Sequence, residues 1–297
     1  MAVSKVTITI NGQTHTLTLN SSTGKYEASV TAPTSSSFKQ SGGYYPVTVT
    51  ATDTAGNTTT KGATDATLGT SLQLKVRETV APVITLTSPT ASAHIGTATP
   101  AITWTVTDAD SGVKDSSISI KIDSGAVVTS GITKTAVSNG YNCSYTPPSL
   151  ADGAHTIYLN ASDNDGNAAT QITSTFTVDT VPPVLVLTSP ADNSITNNAT
   201  CTVSGSTNDA SSTITSLTVN GQTVTVGTNG TFSTTITLSK GANTITIVST
   251  DANGKTSTVT RTVTLDQTPP SITAVTITPN PATTGQTFTI SVTVTDS

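Results

Sequence analysis

Two loop runs carry the residue types best suited to chemistry. Asp108-Ala109-Asp110-Ser111-Gly112 and Asp163-Asn164-Asp165-Gly166-Asn167 each set acids two residues apart. Calcium loops use that spacing because carboxylate oxygens are the natural ligands of a hard cation. Neither run is followed by the bidentate Glu of an EF-hand loop, and Ser-Gly and Asp-Gly are ordinary turn pairs. The expectation is a structural turn in both places, with no metal ligand and no cofactor assigned. The competing reading is a calcium bridge across a domain junction, with Asp179 or Asp266 as a further ligand.

Acid–base and nucleophilic chemistry finds less support. His15, His94 and His155 fall in separate repeats or strands, where solvated or strand-end positions are expected. There is no acid pair with glycosidase spacing, no nucleophile elbow and no metal-binding His pair. The chain is expected not to be an enzyme, and no catalytic residue is assigned. Cys143 and Cys201 stand in different repeats, each inside an alternating run, and read as unpaired core thiols. Sugar recognition needs an exposed aromatic platform. Tyr44-Tyr45, after Gly42-Gly43, is the adjacent aromatic pair. Neighbours on a strand point to opposite faces, so at most one of Tyr44 and Tyr45 belongs to the core and the other is a candidate surface contact. Trp104, alternating with Ile102 and Val106, is expected inside.

Composition bounds the partners. The chain has 297 residues, of which only 10 % are charged and 4 % aromatic, and a net charge of −5. Its 12 Lys and Arg are scattered singly, so the clustered cations that nucleic-acid binding requires are lacking. No apolar run approaches membrane-span length, and no membrane insertion is expected. Met1-Ala2-Val3-Ser4-Lys5 passes directly into the alternation Val6, Ile8, Ile10, so a secretory signal peptide is not expected on this chain.

The elements that would position these residues are strands. Thr and Ser dominate the polar positions, and β-branched Thr suits the exposed face of a strand. A proline-marked junction recurs as Glu78-Thr79-Val80-Ala81-Pro82, Asp179-Thr180-Val181-Pro182-Pro183 and Asp266-Gln267-Thr268-Pro269-Pro270. The junctions lie about 90–100 residues apart, the size of one seven-stranded sandwich. Late in each repeat an alternating strand runs into an Asp-containing turn, at Asp53-Thr-Ala-Gly56-Asn57, Asp163-Asn-Asp-Gly166-Asn167 and Asp251-Ala-Asn-Gly254-Lys255. A final alternating strand follows, marked by Leu72, Leu74 and Val76 in the first repeat. Asn11-Gly12 and Asn220-Gly221 signal equivalent hairpins. No segment has a 3.6-residue apolar period. The fold class is all-β, a rod-like array of tandem immunoglobulin-like β-sandwich domains.

The pattern of Thr-x-Pro-Pro, strand, Ser-Pro and then Ala-x-Asp-x-x-Gly-Asn resembles the bacterial Ig-like (Big-type) domains strung together in surface adhesins, polysaccharide-degrading enzymes and phage structural proteins. It is similar in particular to Ig-like proteins encoded among tail genes of phages and prophages of Gram-positive gut bacteria. The resemblance implies a non-enzymatic structural or adhesive role, tail-associated in a virion or otherwise extracellular. The implied partners are other protein subunits, self or virion proteins, with a cell-surface glycan as a further candidate. The rival readings are a fragment of a secreted bacterial adhesin or stalk, and an accessory array of a polysaccharide-degrading enzyme.

Overlaying the repeats gives domains at 1–77, 82–179 and 183–266 and a partial unit at 270–297. The first domain lacks the two strands that precede the Asn-Gly hairpin elsewhere. The last unit supplies two such strands, Ile272–Ile277 and the run Phe288, Ile290, Val292, Val294. The expectation is strand exchange, in which one chain's 270–297 completes another's 1–77 or a different virion protein supplies the acceptor. The alternative is that residues 56–71 rebuild the missing strands locally and that 270–297 is a disordered or truncated fourth domain.

Overall fold

Period-two alternation becomes strand nearly everywhere it occurs, and no α-helix forms among the described residues. The computed structural model describes residues 2–296; Met1 and Ser297, the outer ends of the expected first domain and partial unit, lie outside the described residues. By packing, the chain forms two units, one running to Val178 and the other from Asp179.

The second repeat is a sandwich of two four-stranded sheets. One sheet orders Thr133–Val137, Gly140–Tyr145, Ile102–Thr107 and Val83–Ser88; the other orders Ser119–Ile122, Gly153–Asn160, Ile172–Val178 and Ala93–Ile95. The first four strands alternate between the sheets along the chain and the last four enter them in pairs, so each inward face meets the other. Ile102, Trp104, Val106, Ile118, Ile120, Ile157, Leu159 and Phe176 are at most 1 % exposed in that core. The third repeat packs a three-stranded sheet (Val184–Ser189, Thr200–Asn208, Thr231–Thr237) on a five-stranded one (Ser194–Thr196, Thr256–Leu265, Gly241–Asp251, Ile214–Val219, Gln222–Thr223). Asn220 and Gly221 both have positive φ, 49° and 78°, which is the geometry a two-residue hairpin needs. Asn11 and Gly12 repeat it at 47° and 75°.

The first repeat is different. It is a single sheet ordered Lys25–Glu27, Gln13–Asn20, Val3–Ile10, Tyr45–Asp53, Thr58–Lys61, with Gln73–Leu74 pairing onto Tyr45–Asp53. The expected strand through Leu72, Leu74 and Val76 is cut to Gln73–Leu74, because Gly69–Leu72 winds as a 3₁₀ turn. Asp65 sets up that turn by accepting the Thr67 and Leu68 N–H groups. Residues 56–71 therefore add one exposed edge strand to the same sheet and build no second layer. At its far end the chain forms a lone hairpin, Ser271–Thr278 with Thr289–Thr295.

Within the first unit the single sheet is tied to the second repeat. The Ser36 N–H donates to the Asp110 carboxylate at 3.0 and 2.9 Å, and Lys39 Nζ donates to the Ala109 carbonyl at 2.8 Å. Buried residues of the first repeat include Ser36, Ser37 and Tyr45.

Candidate functional site

Two features stand out from the strand framework: open apolar faces at the two ends of the chain, and convergent carboxylates at the starts of the complete repeats.

The open faces follow from strand register. In the hairpin, Ile272 pairs with Val294, Val275 with Val292 and Ile277 with Ile290, so six apolar side chains share one face, and Thr, Ser and Ala274 occupy the other. Their exposures run from 43 % at Ile277 to 66 % at Ile272. Phe288, just before the second strand, is 53 % exposed. In the first sheet Val6 pairs with Leu17 and Ala51, and Ile8 with His15 and Val49, giving one apolar row. The repeat pattern makes Ile8 and Ile10 equivalent to Leu217 and Val219, and Val47 and Val49 equivalent to Ile245 and Ile247. The third-repeat residues are 1 %, 2 %, 0 % and 0 % exposed; the first-repeat ones are half-buried. An open cleft lies between Ile10, His15 and the segment carrying Val30, Ala32 and Pro33.

The carboxylates converge because strand ends and junctions meet at one end of each sandwich. Asp108 follows the strand Ile102–Thr107, Asp163 lies in the turn after Gly153–Asn160, and Glu78 belongs to the junction. One oxygen from each lies within 4.8 Å of the others, and Asp179, Asp209 and Asp251 form the equivalent group. Reading Asp108 and Asp163 as turn formers identifies part of their work: Asp108 Oδ1 accepts the Asp110 and Gly112 N–H groups, and Asp163 Oδ1 those of Gly166 and Asn167. Asp179 meets the loops of the repeat that follows it, not Asp108 and Asp163, whose third partner is Glu78. The sequence placed Glu78 in a repeated junction and Asp251 in a repeated turn without marking either as a ligand, and it did not single out Asp209.

The remaining candidates disperse. Tyr45 is only 3 % exposed and its hydroxyl donates to the Ser35 carbonyl at 3.2 Å, so it is a core residue and not a surface contact. Tyr44 is half-buried beside it. Trp104 is interior. Cys143 and Cys201 are free and buried, and burial pushes the Cys143 thiol up to about 11.

His155 lies near the start of the strand Gly153–Asn160, the strand-end position expected, but it is not solvated. It is buried, its Nδ1 2.7 Å from Asp123 Oδ2 and its Nε2 2.8 Å from the Ala151 carbonyl. Both neighbours only accept, so the doubly protonated ring satisfies both contacts. Burial opposes the charge, but the Ala151 and Asp123 contacts outweigh it and raise the His155 pKa. Burial likewise works against the Asp123 carboxylate, and the His155 and Thr156 donors overcome it to lower the pKa. A raised histidine loses its stabilising contribution as pH rises through its folded pKa; a lowered Asp loses its own as pH falls. The pair should contribute most between about pH 4 and 6.5. Trp104, the one tryptophan, reports this sandwich. Its fluorescence-detected unfolding midpoint should be higher at about pH 5.5 than at about pH 8.5, and His155→Gln should flatten that difference. An unchanged profile in the variant would remove His155 as its origin.

Two family models match the complete repeats. Residues 82–159 match the family model described as bacterial Ig domain, and residues 183–267 the one described as glucodextranase, domain B. No curated protein matches the chain. Among solved structures, the chain is similar to the fibronectin(III)-like modules of Clostridium thermocellum CbhA, at 16 % identity and TM-score 0.35 over 62 % of this chain and 94 % of that one. It is also similar to a tetra-tandem repeat from the extending region of a large adhesion protein, at 21 % identity and TM-score 0.33 over 98 % of this chain and 79 % of that one. The architecture is a tandem set of Ig-like β-sandwich modules. No helix among the described residues is long and apolar enough to cross a membrane.

Proposed function

We propose that this chain is a non-enzymatic structural and adhesive protein that displays Ig-like modules toward a cell surface or neighbouring subunits, and that its copies join head to tail by strand exchange. A tail-associated place in a virion is the proposed setting. The supporting observation is the contrast in burial at equivalent positions. Leu217, Val219, Ile245 and Ile247 are sealed by a second sheet, while Ile8, Ile10, Val47 and Val49 are half-open.

The hairpin has the pattern of the layer that seals the complete repeats. Ile290, Val292 and Val294 occupy the positions of Ile102, Trp104 and Val106, counted back from Asp296 and Asp108. Those three residues are 0 %, 1 % and 0 % exposed in the complete sandwich. In the third repeat, Thr200–Asn208 pairs with Thr231–Thr237. The first-repeat counterpart of that partner begins at Lys25–Glu27, and residues 28–33 belong to no strand. An incoming strand would therefore find both an unpaired backbone edge and an apolar face, the two sources of affinity in strand addition. An isolated two-stranded hairpin is marginal in water, so its own stability also favours seating. Because donor and acceptor surfaces differ, the contact is heterologous and propagates into a filament or closes a ring.

Sedimentation of the 297-residue chain beside a version ending at residue 269 tests this. The longer chain should form concentration-dependent species larger than a monomer, and the shorter one should remain monomeric. Equal monomer content and equal stability in both would rule out exchange.

A further inference from the structure

Asp179, Asp209 and Asp251 form a carboxylate group with no ion-pair partner among the described residues. Asp179 is 0 % and Asp251 2 % exposed, and Asp209 is half-buried. Among the described residues no Lys, Arg or His forms an ion pair with any of them. Three like charges so placed repel one another, and burying a carboxylate without a partner is costly.

The hydrogen bonds divide each side chain between two tasks. Asp251 Oδ1 accepts the Asn253 and Lys255 N–H groups, each at 2.8 Å, and so closes its turn. Asp209 Oδ1 does the same for Ser211 and Ser212 at 2.8 and 3.0 Å. The second oxygens, Asp209 Oδ2 and Asp251 Oδ2, are sealed from solvent and meet no donor. Ser212 Oγ is also sealed without a partner at hydrogen-bond geometry and faces Asp179. Asp179 accepts from Asn253 Nδ2 at 2.7 Å and from the Val181 N–H at 3.4 Å. Orphaned buried oxygens are uncommon in folded proteins and point to a partner such as an ion or water. Here two of them belong to the carboxylates that converge within 4.8 Å.

The equivalent group in the first unit shows what a satisfied version looks like. Asp163 Oδ2 accepts from Asn167 Nδ2 at 2.6 Å, and the same amide reaches the Glu78 carbonyl at 3.2 Å. Lys255 stands where Asn167 would be, so Asp251 Oδ2 is left without that amide.

We propose that Asp179, Asp209 and Asp251 bind a divalent hard cation of the calcium class. The donors are all oxygen, with no His or Cys among them, which suits calcium and not zinc or copper. The ion neutralises the like charges, uses the two orphaned oxygens and pins the junction residue Asp179 to the loops after Thr200–Asn208 and Gly241–Asp251.

The test uses the full chain stripped of metal and titrated with calcium chloride by calorimetry, with Asp209→Asn as the variant. Asn keeps an acceptor for the Ser211 and Ser212 N–H groups, so the turn survives while a charge is lost. The full chain should bind calcium, and the variant should bind one equivalent fewer. Hydrogen exchange at residues 208–213 and 251–255 should slow by at least tenfold on adding millimolar calcium to the full chain, and should not change in the variant. No binding heat and no exchange response at millimolar calcium would overturn the proposal, as would a variant that binds as many equivalents as the full chain.

Discussion

Val292→Asp should leave the 297-residue chain folded and monomeric at concentrations where the unsubstituted chain has associated. In the free hairpin Val292 is 49 % exposed, so an aspartate there meets water and costs the monomer little; substitutions at such sites usually stay within about 0.5 kcal/mol. Once seated, the same side chain would occupy the position of Trp104, which is 1 % exposed. A carboxylate buried there without a counter-charge costs several kcal/mol, and about 3 kcal/mol is already a factor of about a hundred in Kd. The asymmetry between free and bound states is what makes the substitution diagnostic.

Thr293→Asp supplies the control. Thr293 lies on the opposite face of the hairpin, where the equivalent Thr105 is only half-buried. Charge there should leave association intact. Sedimentation equilibrium reads both variants, and circular dichroism melting confirms that neither has altered the fold. If Val292→Asp associates as the unsubstituted chain does, the apolar face is not the contact surface.

The all-β architecture was legible because alternation and proline junctions are local signals, readable a few residues at a time. Ile102, Trp104 and Val106 announce a core face by parity alone, and the structure buries all three. Parity also carried a message about His155, which shares a face with Ile157 and Leu159; a residue on that face is buried even near a strand end. Alternation misled at Leu72, Leu74 and Val76, where the Asp65 turn and the 3₁₀ segment Gly69–Leu72 set the backbone before strand pairing does. The adjacent tyrosines were ambiguous in sequence since either parity was open; the Ser35 carbonyl that holds the Tyr45 hydroxyl decides it. The carboxylate groups were legible least. Each assembles from a junction, a strand end and a distant turn, and only the sandwich topology brings those three places together. No short window of sequence contains two members of the Asp179–Asp209–Asp251 group.

Calcium should strengthen head-to-tail association if both the strand exchange and the cation site hold. The repeats place Asp266 at the junction position of Glu78 and Asp179, Asp296 at the strand-end position of Asp108 and Asp209, and Asp53 at the turn position of Asp163 and Asp251. Asp53 already closes its own turn, with Oδ1 accepting the Ala55 and Asn57 N–H groups at 2.9 Å and Oδ2 accepting from Asn57 Nδ2 at 2.9 Å, so a cation there must displace that amide. Seating one copy's hairpin on another's first sheet would bring Asp266 and Asp296 of the donor to Asp53 of the acceptor, completing a third group from two chains. A cation shared across that contact links binding to assembly, so each must promote the other by the same factor. The expected result is a Kd for association at least about tenfold lower in millimolar calcium than in chelator, about 1.4 kcal/mol. Asp296→Asn should remove that calcium dependence while preserving association in chelator, since the apolar contact is untouched. Association that ignores calcium would sink the shared site and leave strand exchange standing. A chain that stays monomeric in both conditions would instead remove the exchange itself, and calorimetry on that same monomer would still report on Asp179, Asp209 and Asp251.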